Sequence, residues 1–170
     1  MRVEEVMKKM IGYADGHHHD INHFMKVHSL ARTIGLLEGL DPDTQMILET
    51  AAIVHDIACP ICRIKYGNTN GKHQEEESEP LLREFFSGMD ITQEQLNRII
   101  YLVTHHHTYK DVDGIDYRIL LEADFLVNGD ESEKYAKQIE EFRKNVFRTK
   151  SGTELLEEIF KKEIKGALHE

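Results

Sequence analysis

The stretch from Ala51 to Ala58 ends an apolar run with His55 and Asp56, two side chains that bind metal ions well. The other six residues of the stretch are aliphatic, so the pattern predicts a buried helix end. Burying an imidazole and a carboxylate costs free energy unless each is hydrogen-bonded, paired or bound to a cation. A metal ion would satisfy both groups. An isolated pair would equally fit a satisfied core histidine beside a solvated aspartate, so the rest of the chain has to decide.

Two further polar side chains fall on apolar helical faces. His23 shares a stripe with four apolar residues at steps of four, three, four and three, namely Val27, Leu30, Ile34 and Leu37. Asp124 lies in a segment from about Tyr117 that is apolar nearly all round. Three predicted helices therefore offer two imidazoles and two carboxylates. Such a set suits a hard or borderline divalent ion with open positions for water and substrate, which is a catalytic rather than a structural arrangement.

The helices that position these ligands are predicted from the spacing of apolar residues. They run from Met1 to Tyr13, from Asp20 to about Leu37, from about Asp43 to the His55-Asp56 pair, from His73 to Phe86, from Thr92 to the histidines at 105–107, and from about Tyr117, with two more opened by Asp130 and by Ser151. The segment from Cys59 to Lys72 holds two glycines, two asparagines and a proline, and predicts a loop. No stretch predicts a strand. The expected fold is an all-α single domain over residues 1–170.

Composition excludes several classes of partner. The chain has 170 residues and a formal net charge of -10, which argues against a long nucleic acid because phosphate contacts need clustered lysine and arginine. Neither a signal-peptide core nor a stretch of about 18 apolar residues is present, so we expect a cytoplasmic protein without a membrane partner. A homo-oligomer stays open.

Cys59 and Cys62 form one CxxC pair, whereas a structural zinc site needs four ligands, so reduced thiols are expected.

The order His, His-Asp, Asp on a helical chain resembles the HD-domain superfamily of metal-dependent phosphohydrolases. Three motifs carry the resemblance: Asp20-Ile21-Asn22-His23, the stretch 51–58, and Glu122-Ala123-Asp124-Phe125-Leu126. They cover about residues 20–128. The resemblance implies a compact antiparallel helical core over those residues and hydrolysis of a phosphoester. The spacing of apolar residues beyond the core predicts a C-terminal helical extension over about 130–168.

The resemblance also implies the roles of individual residues. His23, His55, Asp56 and Asp124 become metal ligands for one divalent ion, which could be Mn, Fe, Ni, Co, Zn or Mg. Members with two metals add histidines between the HD pair and the last aspartate. Here the candidates are His73 on one helix and either His105 or His106 on the next, which would make six ligands, although His73 precedes a Gln-Glu run and not the family's small residues.

These residues lead to a hypothesis for function, a metal-dependent phosphohydrolase acting on a small phosphorylated substrate such as a nucleotide or related phosphate. Asp56 would bind the metal and orient the attacking water. Lys65 and His106 would hold phosphate oxygens or protonate the leaving group, with Arg63 and Tyr66 also within the predicted loop. Two alternatives stay open: an HD-type di-iron oxygenase, which needs two irons and all six ligands, and a sensor domain that binds metal or nucleotide without turnover.

Overall fold

The computed structural model describes residues 1–167, and this part of the chain is helical without any β-strand. Residue 168, the last of the predicted C-terminal extension, lies outside the described residues. The helices are α1 (Val3–Tyr13), α2 (His18–Leu37), α3 (Pro42–Val54), α4 (Cys59–Tyr66), α5 (Gly71–Phe85), α6 (Gln93–His105), α7 (Ile115–Glu131), α8 (Glu133–Ala136), α9 (Ile139–Asn145), α10 (Lys150–Ile159) and α11 (Lys161–Ala167). The prediction of an all-α fold is confirmed.

The centre of the fold is α7, which is buried along most of its length. It packs against α2 and α3, and these two helices also pack against each other. Fully buried side chains from all three helices, among them Ile34, Leu48 and Leu120, form one hydrophobic core. The three helices that carry the predicted ligands are therefore direct neighbours.

Two helix starts follow local rules that the sequence displays. The Asp41 carboxylate accepts hydrogen bonds from the backbone N–H groups of Asp43 and Thr44, and Pro42 occupies the first turn of α3. At α6, Thr92 and Gln95 form the reciprocal capping box that the sequence predicts. These caps fix where α3 and α6 begin, and hence which side chains α3 turns towards α7 and which α6 turns towards α3 and α5.

The predicted loop from Cys59 to Lys72 is wrong over its first half. Residues Cys59–Tyr66 form α4, with Pro60 in the first turn where its missing N–H is not needed, and Gly67 ends the helix at φ 68°. The remaining connection is residues 67–70. Cys59 and Cys62 are both buried, free thiols on this helix. They therefore do not lie in the loop that the sequence predicts.

The helix predicted to open at Asp130 is also wrong in its bounds. Asp130 belongs to the last turn of α7, and the chain then forms two shorter helices, α8 and α9, before α10. Ser132 is in an extended conformation between α7 and α8, which breaks the helical path. The short helices place Tyr135 and Phe142 beside Phe125 of α7.

Candidate metal centre

The ends of α2 and α3 and the middle of α7 bring three donor atoms together. His23 Nε2 lies 3.1 Å from His55 Nε2 and 3.2 Å from Asp124 Oδ1, and His55 Nε2 lies 3.4 Å from the same oxygen. All three side chains are buried. Ligand atoms that surround a first-row ion at about 2.1 Å lie about 3.0 to 3.4 Å from one another, so this spacing suits a metal ion.

Asp56 extends this group in two directions. Its Oδ2 lies 3.5 Å from His23 Nε2 and 3.4 Å from His55 Nε2, while Oδ1 lies 3.5 Å from His106 Nε2. The side chains of His55, Asp56 and His106 thus form a second group with donor atoms close enough to hold an ion, and this group shares His55 with the first. One carboxylate therefore faces donors from α2, the end of α3 and the end of α6.

The outer nitrogens of the histidine rings fix which nitrogen faces the site. The Nδ1–H of His55 donates to the carbonyl oxygen of Ala52 at 2.8 Å, and that of His106 donates to Val103 at 2.7 Å. His23 Nδ1 lies 2.8 Å from a carboxylate oxygen of Glu131. Because carbonyl and carboxylate oxygens only accept, each ring carries a proton on Nδ1 and directs Nε2 into the site.

The chemistry of the donor set fits a cation. His106 Nε2 is buried and has no hydrogen-bond partner within the described part of the chain. Burial opposes a charge on His23, but the hydrogen bond and charge of Asp124 and the charge of Asp56 raise its pKa to about 10. Burial likewise favours neutral carboxyl groups, yet the surrounding histidines hold the pKa of both Asp56 and Asp124 well below its usual range. The cluster therefore strongly favours positive charge at its centre.

The other predicted site residues take different places. The ring of His73 stacks on Tyr66 at 3.8 Å, and His105 stacks on Tyr101 at 4.2 Å with its Nδ1 bonded to the Tyr101 carbonyl oxygen. Neither histidine belongs to the two donor groups. Of the three consecutive histidines, His106 points to Asp56, as projecting the apolar face of α6 predicts.

Lys65 does not line the site. Its ammonium binds both carboxylate oxygens of Glu77 at 2.8 and 2.9 Å on the exposed side of α4. The cation that lines the cavity over the donor groups is Arg63, whose guanidinium forms two hydrogen bonds of 2.7 Å with Asp20. This cavity, the inner cavity, has a volume of about 230 Å³, and its lining includes Arg63, Asp56 and Asp124. His19 also lines it, whereas His17 caps α2 through its side chain.

Two side chains that contact the donor groups were not predicted from the sequence, although their spacing from Asp124 indicates them. Asn128 and Glu131 follow Asp124 by four and seven residues, so they share its face of α7. Asn128 donates to Asp124 Oδ1 at 2.9 Å, and Glu131 accepts from the ring of His23 and, at 3.0 Å, from the Lys26 ammonium. Burial opposes ionisation of Glu131, but His23 and Lys26 lower its pKa. Both residues therefore hold side chains of the first donor group in place.

Replacing Glu131 by glutamine is expected to weaken divalent metal binding by about 10- to 100-fold, the usual effect of losing a carboxylate behind a histidine ligand. The amide cannot reproduce the charge that holds the His23 ring. Metal affinity can be measured by calorimetric titration with Ni²⁺ or Mn²⁺. Glu133→Gln, an exposed change in α8, is the matched control and should leave the affinity unchanged. Equal affinities for wild type and Glu131→Gln would contradict this role.

Comparison with known proteins agrees with this geometry. The family model described as HD domain matches residues 20–142. No curated protein and no solved structure matches the chain significantly. In the part of the chain that is described, no helix is both long enough and apolar enough to span a membrane.

Proposed function

The chain belongs to the HD domain family, and from this premise we propose that it is a metal-dependent phosphohydrolase that cleaves a small phosphoester. The family is largely one of metal-dependent hydrolases, and the His and Asp groups of this chain could hold a metal ion. The observation that carries the proposal is the convergence of three Nε2 atoms and two carboxylates, with His106 Nε2 buried and without a partner in the described residues.

His23, His55, Asp56 and Asp124 would hold the cation. A divalent ion bound there would supply Lewis acidity towards a phosphoryl oxygen and a water molecule. Asp56 is the residue best placed to orient that water, because one of its oxygens faces His23 and His55 while the other faces His106. Ligands from three helices of the core would keep these positions rigid.

His106 and Arg63 would act on the phosphoester itself. His106 keeps its Nδ1 proton against the Val103 carbonyl, so Nε2 is the atom at which it can exchange a proton with a leaving oxygen. Arg63 lines the inner cavity and remains partly exposed, and it would attract and orient a phosphate anion in an otherwise acidic protein. We propose Arg63 for the part that the sequence analysis gave to Lys65.

One observation favours a second metal. His55, Asp56 and His106 form a donor group of their own beside the first. A two-metal hydrolase would clamp both the attacking and the leaving oxygen. A di-iron oxygenase would need His73 or His105 as further ligands, and both side chains are engaged by tyrosine rings.

The experiment is elemental analysis of untagged protein purified without added metal, followed by assays on a panel of phosphoesters and nucleotides with Mn²⁺, Ni²⁺, Co²⁺ or Mg²⁺. We expect one or two equivalents of bound metal and hydrolysis of at least one phosphoester. Two equivalents of iron with oxygen consumption would favour the oxygenase. Failure to cleave any phosphoester with any of the four ions would overturn the proposal and favour a binding domain.

A further inference from the structure

Gln74, near the start of α5, is a buried side chain that plays no part in the mechanism above. It is 3% exposed and lines the inner cavity. Its amide Nε2 donates to the carbonyl oxygen of Thr69 at 2.9 Å, whereas its Oε1 is buried without a hydrogen-bond partner in the described residues. A buried acceptor without a partner costs free energy, and native proteins rarely leave one unpaired. A ligand that donates a hydrogen bond to Oε1 would remove this cost.

The contact with Thr69 fixes which way round the Gln74 amide lies. A backbone carbonyl oxygen only accepts, so the amide nitrogen has to face Thr69 and the amide oxygen has to face away from it. The backbone of Gln74 is held as well, because its N–H donates to the Asn70 carbonyl at 3.1 Å and its own carbonyl accepts from the Ser78 hydroxyl at 2.6 Å. Gln74 therefore offers a fixed acceptor and not a donor.

His107 also lines the inner cavity and has a buried atom, Nε2, without a partner in the described part of the chain. An imidazole nitrogen donates or accepts according to which nitrogen carries the proton, so it does not select one kind of ligand group. Its ring lies against that of His106, with centroids 3.9 Å apart, and so adjoins the donor groups. Gln74 has no charge and no proton to exchange. It can therefore discriminate between ligands by hydrogen bonding alone.

The chain around Gln74 separates the inner cavity from a second space, the outer cavity. The outer cavity has a volume of about 480 Å³, and its lining includes residues 70–72. Thr69 and Gln74, on either side of these residues, line the inner cavity. The segment 69–74 is therefore a wall between the two cavities, which meet at His107 and Tyr135 because these side chains line both.

The position of Gln74 indicates which part of a substrate it would meet. Phosphoryl oxygens are anionic and accept hydrogen bonds, so the Gln74 oxygen repels them and they belong beside Arg63 and the donor groups. The donor groups come from α2, the ends of α3 and α6, and α7, whereas Gln74 belongs to α5. An ester bound with its phosphorus at the donor groups has to lead its alcohol along the wall 69–74 to reach the outer cavity. Gln74 then faces the first carbon atoms of the leaving group.

We propose that Gln74 is a specificity-determining residue whose Oε1 accepts a hydrogen bond from a hydroxyl group on the carbon next to the ester carbon of the leaving group. The substrate class is accordingly that of phosphomonoesters of vicinal diols, and not of simple alcohols. The identification of a leaving group rests on the proposed hydrolase function. Recognition of the hydroxyl does not, because the unpaired acceptor of Gln74 is present whether or not the bond is cleaved.

The test uses the full chain with Mn²⁺ and measures binding apart from turnover. Its probes are two non-hydrolysable phosphonates that differ by one hydroxyl group, 3-hydroxybutylphosphonate and butylphosphonate, in which CH₂ replaces the ester oxygen of 2-hydroxypropyl phosphate and of propyl phosphate. Calorimetric titration should show about tenfold tighter binding of the hydroxylated probe, because only that probe satisfies the buried acceptor. Gln74→Met keeps the length of the side chain without the acceptor and should remove this preference. Gln93→Met, the same exchange at an exposed glutamine of α6, is the control and should keep it.

Turnover supplies the second readout. The ratio of kcat/KM for 2-hydroxypropyl phosphate to that for propyl phosphate should fall about tenfold in Gln74→Met and stay constant in Gln93→Met. If Gln74 only held Thr69 in place, its loss would lower both values equally, and an unchanged ratio overturns the inference. Absence of a preference for the hydroxylated phosphonate in wild type also overturns it, even where propyl phosphate is cleaved and the hydrolase proposal stands. A binding preference that depends on Gln74, without cleavage of any phosphoester, supports the hydroxyl site and overturns the hydrolase proposal.

Discussion

Replacing Asp56 by asparagine is expected to lower phosphoester hydrolysis by more than about a hundredfold, beyond the range for a residue that only supports a ligand. Asparagine keeps the volume of the side chain but loses the charge and one of the two carboxylate oxygens. Those oxygens face His23 and His55 on one side and His106 on the other. One substitution therefore weakens both candidate donor groups and removes the group that would orient water.

The same variant separates a lost site from a lost fold. A metal ion at a hundredfold excess over its Kd should raise the Tm of the wild-type protein by roughly 5–10 °C, because the ion binds only the folded chain. In Asp56→Asn this rise should nearly vanish, while the Tm without metal should stay close to wild type. Asp90→Asn, a change at a fully exposed aspartate, serves as the matched control. Wild-type hydrolysis and a wild-type thermal shift in Asp56→Asn would contradict the proposed centre.

The helical pattern indicated which polar side chains face the core because the candidate ligands belong to regular elements. His23 and Asp124 lie on faces defined by a repeat of 3.6 residues, and His55 and Asp56 follow an aliphatic run. His106 extends the face of Ile99 and Val103 by one turn, and it is 1% exposed. Periodicity gives the direction of a side chain within its own helix. The roles of these residues as ligands or catalysts stay predictions.

Errors arose where contacts between distant residues decide the outcome. The pattern in residues 59–66 contains a proline and only eight helical residues, too few for a clear period, yet burial of Cys59 and Cys62 holds them in α4. From the sequence, Lys65 was the predicted phosphate contact, and Arg63 was only a neighbour in the same predicted loop. Arg63 donates to Asp20 of α2 and lies at the inner cavity, whereas Lys65 donates to Glu77 of α5 and points away from it. Neither partner can be identified from the local sequence, because each depends on how α4 packs.

Glu122, a residue that supports stability, is a further example of contacts that the local sequence cannot predict. It is fully buried on α7, where its carboxylate accepts hydrogen bonds from the backbone N–H groups of Arg148 and Thr149 at 2.7 and 3.0 Å and from the Thr149 hydroxyl. Burial raises its pKa, and these hydrogen bonds act in the opposite direction. Thr149 in turn caps α10 by accepting from Gly152 N. One carboxylate thus ties the start of α10 to the central helix.

Glu122→Ala is accordingly expected to lower the free energy of unfolding by about 3–5 kcal/mol, since it leaves a cavity and three buried donors without an acceptor. Gly152→Ala should also lower the free energy of unfolding, because it disturbs the same contact from α10. An added Cβ would lie 2.1 Å from Glu122 Oε2 and 2.6 Å from Thr149 Oγ1. Urea unfolding monitored by circular dichroism gives both values. Glu154→Ala, on the exposed side of α10, is the control and should change stability by less than about 0.5 kcal/mol.

The two variants also test whether they act through one contact. If Glu122 and Gly152 affect the same junction, the double variant should be less destabilised than the sum of the single variants, because the alanine at 152 no longer meets a carboxylate. Strict additivity would place their effects in separate interactions. Metal affinity in the double variant should fall little, since neither Glu122 nor Gly152 belongs to the two donor groups, and a large fall would mean that α10 helps to position Asp124.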